Sequence, residues 1–405
     1  MSRLALFTSA LTGGGVQRSM ANLAVVLARR GHAIDLVVCH GDRETEAALA
    51  AAGVRVVVLA ATSSPRARIL ALRAAPAHWR ELGPTVLWPV ATWSKLAYLA
   101  ALRDYLVERR PDAMLSAMTQ CNLVAIWART LAGVHTRLVV SERNMLSRFA
   151  HPRAKKQRWR HTARLVGVTY PRADAIVGVS NAVADDLAAA TGLARPRIVT
   201  VVNPTVDDTL RVGALAPCPH PWLDPRLGGD GPPVVLGVSR LVEQKDPSTL
   251  LRAFVRLRRG RDARLILLGD GPLREPLRAL AESLGVAAHV DLPGWDDRPF
   301  AYMANADVFV LPSRWEGLPG VLIQALACGC PAVATDAPGG SAEILEHGRY
   351  GRLVPVGDAV AMAHAIAATL DDPRDPGRLK ARAEDFSADA SADGYLALML
   401  GAGER

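Results

Sequence analysis

Short runs of apolar residues, too brief to be helices and bounded by Gly, Pro or polar residues, recur along the whole chain with amphipathic stretches between them. That alternation is the pattern of strands and helices in parallel α/β sheets. In the first half Leu4–Thr8, Ala33–Cys39, Val54–Leu59, Ala113–Ser116, Arg137–Ser141, Ala175–Val179 and Ile198–Val202 read as strands. Helices such as Val16–Arg30 and Asp185–Ala190 lie between them, and Gly31 is a natural stop for the first. The second half repeats the scheme in Val234–Val238, Arg264–Leu268, Val290–Leu292, Val308–Leu311 and Ala332–Thr335. Strands this uniformly apolar need helices on both faces of each sheet.

A chain of 405 residues is long for one such domain and natural for two. The Pro- and Gly-rich stretch from Ala216 to Pro233 is the clearest linker and puts a boundary near 205–230. The expected architecture is α/β, with two facing, doubly wound domains and a cleft between them. Residues 1–210 form the first, 211–380 the second, and 381–405 a C-terminal helix packing back towards the first. Ligands of such sheets bind beyond the carboxyl ends of the strands, where the crossover direction reverses. Chemistry is therefore to be sought in the loops that follow strands.

Half of the residues are apolar and 21% are charged, a globular balance. The net charge of +9 is uneven: residues 1–205 hold 27 Lys and Arg against 12 Asp and Glu, and the remainder holds 21 against 27. The basic half suits an anionic partner such as a membrane surface or a phosphorylated acceptor. An arginine-biased composition on a solvated face explains the charge equally well. No nucleic-acid motif accompanies it, and nucleic acid is not an expected partner. The five cysteines (Cys39, Cys121, Cys218, Cys328, Cys330) include no Cys-x-x-Cys and read as reduced thiols of a cytoplasmic protein. The apolar start Leu4–Phe7 runs directly into a glycine-rich turn, so it reads as a buried first strand rather than a signal peptide. No stretch reaches the ~18 apolar residues needed to span a bilayer. The expected location is cytoplasmic, with peripheral contact at the inner face of the cytoplasmic membrane.

Three strand-end loops carry the chemistry. After the first strand, Gly13, Gly14 and Gly15 open a helix; backbone amides there can approach an anion, although many such turns are purely structural. This is not the Gly-x-Gly-x-x-Gly dinucleotide fingerprint, which argues against a nicotinamide enzyme. After Val234–Val238 come Arg240 and Lys245, two cations able to neutralise a departing diphosphate without a metal. The alternative is an ordinary pair of surface cations, but Lys245 is the only lysine between residues 157 and 379. After Val308–Leu311, Glu316 precedes Gly317 to Gly320 and a helix that contains Gln324. A carboxylate aimed at sugar hydroxyls beside a helix N-terminus aimed at phosphate makes a nucleotide-sugar site.

Arg240-x4-Lys245, the turn from Leu268 through Gly269 to Pro272, Glu316-Gly-Leu-Pro and Gly339 to Glu343 together resemble glycosyltransferase family 4, of the GT-B fold with two Rossmann-like domains. The resemblance runs nearly unbroken from about 234 to 357 and is looser before it, through Gly13–Arg18, Ser141–Asn144 and Asp174–Asn181. It implies a retaining, nucleotide-sugar-dependent enzyme, with a UDP-hexose or UDP-N-acetylhexosamine preferred over GDP-mannose. Arg240 and Lys245 match the pair that holds the donor diphosphate, and Glu316 the first acid of the family's Glu-x7-Glu motif. Leu318, Gly320 and Val321 would face the sugar and phosphates. Gly14 and Gly15 match the loop that closes over the donor. Gly269 lies in a motif turn, and Trp295 borders the base pocket or, alternatively, packs in the core.

Two positions depart from the pattern. The second acid of the motif is Gln324 here, whose amide still offers hydrogen bonds to a ribose. The family's cleft histidine is absent from the loop after Ala113–Ser116, leaving Gln120 and Asn122 as polar substitutes. A catalytically degenerate binder of nucleotide sugars is the alternative that Gln324 supports; a GT-B epimerase acting on nucleotide sugars is a further one, against which the Glu316–Gln324 block counts. With Glu316 the only well-matched acid, a front-face substitution is favoured over double displacement. No Asp-x-Asp motif is present, so neither a metal nor another cofactor is expected. The acceptor, a saccharide or lipid-linked saccharide, is expected on Glu142, Arg143 and Asn144. Beyond them Arg148, Arg153, Lys155, Lys156, Arg158, Arg160 and Arg164 interleave with Phe149 and Trp159, a composition suited to an anionic membrane interface or, equally, to a solvated helix.

Overall fold

The computed structural model describes residues 1–89, 92–151, 154, 157–224 and 231–401. Arg153, Lys155 and Lys156, part of the basic segment, lie outside the described residues, as does part of the Pro/Gly-rich linker. The chain divides into two compact units, Met1–Pro204 with Ala388–Arg405, and Thr205–Ser387.

The first unit is built on a seven-stranded parallel sheet. Its strands are β1 (Arg3–Thr8), β2 (Ala33–Val38), β3 (Val54–Val58), β4 (Ala113–Ala117), β5 (Arg137–Glu142), β6 (Ala175–Gly178) and β7 (Ile198–Thr200), in the order β3-β2-β1-β4-β5-β6-β7. The apolar N-terminal run is thus the central strand β1, with Leu4, Ala5, Leu6 and Phe7 all buried. Alternate residues of these strands feed two layers. Phe7, Val37, Met114 and Val140 meet one set of helices, and Leu6, Leu36, Leu115 and Val139 the other. Both sheet faces are covered, which is why most residues of these strands are apolar.

The Ala388–Leu400 helix completes this unit. Tyr395 is fully buried, Arg30 pairs with Asp389 and Asp393 at 2.8 and 2.6 Å, and Arg137 donates to the Leu398 carbonyl at 2.7 Å. Residues 205–210 and 381–387, which the sequence-based boundaries put elsewhere, belong to the second unit. Thr205 and Val206 donate to the Phe386 carbonyl, and Arg211 pairs with Glu384, so the two ends of that unit are sewn to each other.

The second unit holds a six-stranded parallel sheet. It comprises β8 (Val234–Val238), β9 (Arg264–Leu268), β10 (Val290–Gly294), β11 (Val308–Leu311), β12 (Ala332–Thr335) and β13 (Arg352–Val354), ordered β10-β9-β8-β11-β12-β13. Both sheets are doubly wound. The crossover direction reverses between β1 and β4 in one and between β8 and β11 in the other, and each reversal opens a crevice at the strands' carboxyl ends. All five cysteines are buried and free. Among the described residues no helix is long and apolar enough to cross a membrane.

Candidate active site

In the second unit the crevice between β8 and β11 is where the predicted donor residues meet. Lys245, in a short turn after β8, donates from Nζ to Oε1 of Glu316 at 2.5 Å, so the ion pair spans the reversal point. Glu316 is buried, and its Oε1 also accepts from Ser313 Oγ at 2.6 Å. Arg240, the second residue past β8, is exposed and has no ion-pair partner among the described residues. A second pair fixes the same two loops: Arg314 Nε reaches Asp246 Oδ2 at 3.1 Å, and Gln244 Nε2 donates to the Trp315 carbonyl at 2.9 Å. Sequence reasoning missed Ser313 and Asp246. Their position next to Glu316 and Lys245 was the only signal, because each acts through a partner in the other loop or in its own turn.

Backbone bonds hold these loops in register. Arg314 N donates to the Gln244 carbonyl at 2.8 Å, Glu316 N to Pro338 O at 2.9 Å and Gly340 N to Gly317 O at 2.8 Å. The approach is close enough to demand glycine. Gly339 has φ +131°, and a Cβ there would stand 2.3 Å from the Glu316 carbonyl. Gly269, also at φ +131°, would put a Cβ 2.0 Å from the Ser239 carbonyl, so this motif glycine sets the spacing of the loops after β8 and β9. Leu318 is buried. The Gly320–Ala327 helix begins at the crevice, with Gly320, Val321 and Gln324 each half-buried and no side-chain cap on the helix N-terminus. Leu322 N bonds the Pro319 carbonyl at 3.0 Å, so the amides before it, of Gly320 and Val321, are the ones an external acceptor would reach.

Trp295 is not a core residue: it is 72% exposed. It follows Gly294 beyond the end of edge strand β10, where no layer covers it, so the packed-core alternative is overturned.

In the first unit, Gly14 is extended and Gly15 opens the Gly15–Arg29 helix. A Cβ at Gly15 would meet nothing within 4 Å, and one at Gly14 only the Gln17 side chain at 3.3 Å, so internal packing does not require glycine at either. Gln120 is half-buried in the first turn of the Thr119–Ala132 helix.

The other predicted acceptor residues are largely interior. Asn122 is fully buried and donates to the Ser141 carbonyl at 3.0 Å and to Tyr170 OH at 2.9 Å. Glu142 is buried at the end of β5 and accepts from Thr119 Oγ1 at 2.9 Å and from Tyr170 OH. Desolvation pushes its carboxyl up to about 7, against the pull of these donors. Arg143 is buried too; it bonds Asn203 and Ser19 and lies 5.6 Å from the centre of the Tyr395 ring. Half-buried Asn144 accepts from Met145 N at 3.1 Å. Each charge closing a strand finds its partner inside the unit.

The basic segment is likewise only partly as expected. Arg148, Arg160 and Arg164 are exposed, but Phe149 and Trp159 pack edge-to-face at 4.7 Å against the core, with Trp159 also 6.1 Å from Trp93.

Known proteins share this fold. The family model described as glycosyl transferase 4-like domain matches residues 14–204, and that of glycosyl transferases group 1 matches 225–386. A relative of nearly the same length is the N-acetylgalactosamine-N,N'-diacetylbacillosaminyl-diphospho-undecaprenol 4-alpha-N-acetylgalactosaminyltransferase of Campylobacter jejuni. It is 27% identical over 99% of this chain and 100% of its own. The lipopolysaccharide core biosynthesis glycosyltransferase LpsE of Rhizobium meliloti is 37% identical over 41% of this chain and 49% of its own. Among solved structures, Anabaena HepE with UDP and glucose superposes with TM-score 0.75 at 19% identity, covering 98% of each chain. A Rickettsia africae glycosyltransferase superposes with TM-score 0.76 at 15% identity, over 99% of this chain and 100% of that one.

The protein is thus a glycosyltransferase of the GT-B fold, an enzyme that transfers a sugar from a nucleotide sugar. Within that class the chain belongs to the family 4-like glycosyltransferases.

Proposed function

We propose that the protein moves an N-acetylhexosamine or hexose from a UDP-sugar, with retention of configuration, to a lipid-linked saccharide. The observation that carries this reading is the Lys245–Glu316 pair across the β8/β11 reversal, with exposed Arg240 beside it and an uncapped helix starting at Gly320. The donor diphosphate sits between Arg240, Lys245 and the first amides of the Gly320–Ala327 helix, which stabilise its charge as the glycosidic bond breaks. Glu316, locked by Ser313 and its own backbone bond, receives donor-sugar hydroxyls. Gln324 contacts the ribose, and exposed Trp295 stacks on the base. A donor phosphate oxygen takes the acceptor proton, so neither a second carboxylate nor a metal takes part.

The product class is supported by the Campylobacter relative, whose name specifies an α-linked sugar and a diphospho-undecaprenol acceptor. An α-linked product from an α-configured donor is retention. HepE, crystallised with UDP-glucose, supports the base. The test is calorimetric titration with UDP- and GDP-sugars in EDTA, on the wild type and Lys245→Ala, followed by NMR assignment of the product anomer. Tight binding of one UDP-sugar that is lost in the variant, and an α-linked product, is the expected result. Binding that needs a divalent metal, a GDP-sugar as the sole ligand, or a β-linked product would each refute the corresponding part.

A further inference from the structure

We infer that the second unit carries a binding site for a small phosphorylated anion, at the end of its sheet opposite the β8/β11 crevice. The inference is independent of the proposed reaction. That crevice lies beyond the carboxyl ends of the strands, whereas Ala332 and Arg352, the first residues of β12 and β13, line a separate cavity at the amino ends. Its volume of about 200 Å³ is below the roughly 300–1,000 Å³ of pockets for drug-sized ligands, so it suits a diphosphate or a sugar phosphate rather than a nucleotide sugar.

Four arginines share the wall: Arg349, Arg352, Arg374 and Arg378. Two carboxylates stand among them, and both are engaged. Asp372 pairs with Arg352 at 2.7 Å, and Asp375 accepts from Arg378 N at 3.0 Å as the cap of the Pro376–Ala383 helix. That helix N-terminus is already satisfied, so the attraction for an anion comes from the guanidiniums. Arg378 has no carboxylate partner among the described residues; it donates to the Arg349 carbonyl at 2.5 Å. Its guanidinium lies 4.9 Å from the centre of the Tyr350 ring, with those of Arg349 and Arg382 at 5.3 and 5.7 Å. Three guanidiniums gathered round one ring repel one another. Arg349 and Arg382 also share one carboxylate, Glu346, although Arg382 has Asp385 as well. Arg352 adds an Nε that is buried without a hydrogen-bond partner. Crowded like charge and an unpaired donor are what a bound anion relieves.

The wall is also preorganised. Pro373 and Pro376 restrict the turn that carries Arg374, whose guanidinium is tied to Asp307. A Cβ at Gly351 would stand 2.6 Å from the Ala332 carbonyl, so the backbone between Tyr350 and Arg352 lies hard against β12. Guanidiniums held in this way lose little freedom on binding, and their planar forks match phosphate oxygens in pairs.

The experiment is calorimetric titration of the full chain with inorganic diphosphate, glucose 1-phosphate and sulfate at low salt. It is repeated on Lys245→Ala, Arg349→Ala/Arg378→Ala and Asp372→Asn, each checked for folding by thermal denaturation. Lys245→Ala removes the competing cation of the β8/β11 crevice. The expected result is a binding event that survives in Lys245→Ala and weakens about tenfold or more in the arginine pair. It should tighten about threefold in Asp372→Asn, which frees Arg352 and removes a nearby negative charge. This opposite sign keeps the inference falsifiable should the arginine pair fail to fold. The tighter of the two phosphorylated probes identifies which kind of phosphate the cavity takes. No binding of either, binding lost in Lys245→Ala but unchanged in the arginine pair, binding in Asp372→Asn no tighter than in the wild type, or sulfate held as tightly as both would overturn the inference.

Discussion

Glu142→Gln will flatten a loss of stability that the wild-type protein shows as the pH rises from about 5 to about 8. Glu142 is wholly buried, with Tyr170 and Thr119 hydroxyls as its hydrogen-bond donors and Asp186 as a further negative charge nearby. Burial lifts its carboxyl from 4.5 to about 7. Between those values the folded state keeps a proton that the unfolded chain has released, so stability falls with rising pH across the window. Below 4.5 both states are protonated and the penalty is absent; above about 7 it is fully present. At roughly 1.4 kcal/mol per pH unit the gap amounts to about 3 kcal/mol. For a unit of this size that is about 6–12 °C in Tm.

The amide that this substitution introduces can still accept from Tyr170 and meet Thr119, but it does not titrate. Scanning calorimetry of both proteins at intervals between about pH 5 and pH 8 reads the difference directly. The variant should gain on the wild type as the pH rises, by most of that amount at the alkaline end. A Tm difference that stays constant with pH would refute the assignment of a neutral buried carboxyl. An exposed carboxylate touching an acceptor would give that flat result, so the same scan separates the two roles.

Lys245→Ala leaves the buried Glu316 carboxylate with Ser313 alone and should cost about 2–4 kcal/mol, the lower part of the range for a broken buried pair because Lys245 keeps some solvent contact. Lys245→Ala/Glu316→Gln should recover more than half of that in calorimetry; no recovery would refute an energetic link between the two side chains. Gly339→Ala forces a Cβ against the Glu316 carbonyl from a backbone conformation that alanine avoids, and should cost about 1–3 kcal/mol and weaken nucleotide-sugar binding together. An unchanged Tm would show that the loops after β11 and β12 are free to part.

The strands were the most legible part of the sequence. Val234–Val238, Arg264–Leu268, Val308–Leu311 and Ala332–Thr335 are apolar runs closed by polar or Gly/Pro residues, and their ends coincide with the observed strands. β13 escaped because three residues beginning with Arg352 carry no periodicity to read. The helices between residues 64 and 109 escaped because Pro76, Gly83-Pro84 and Pro89 cut the stretch into pieces too short for a helical period to be read. Arg240, Lys245 and Glu316 could be picked out because they follow strands, yet the contact between Lys245 and Glu316 spans 71 residues and belongs to the topology alone. The burial of Glu142 and Arg143 was hidden for the same reason. Their partners Tyr170 and Tyr395 lie far along the chain, and a charge after a strand looks solvent-facing until those partners are known.

The two kinds of motif residue in the second unit do different work. Gly269 and Gly339 let successive strand-end loops approach until their backbones bond, at Leu241 N to Asp270 O and Gly269 N to Gly294 O on one side, and at Glu316 N to Pro338 O on the other. The charged side chains are mounted on that frame. Because Glu316 and the turn bearing Lys245 are positioned by backbone bonds, replacing a side chain such as Gln324 alters what the crevice recognises without moving what holds it. Electrostatic stabilisation is effective when its dipoles and charges are already in place before charge develops. Here that preorganisation resides in the glycine-spaced backbone, so a backbone lesion at Gly339 should disturb stability and recognition at once, whereas a side-chain change at Gln324 should touch recognition alone.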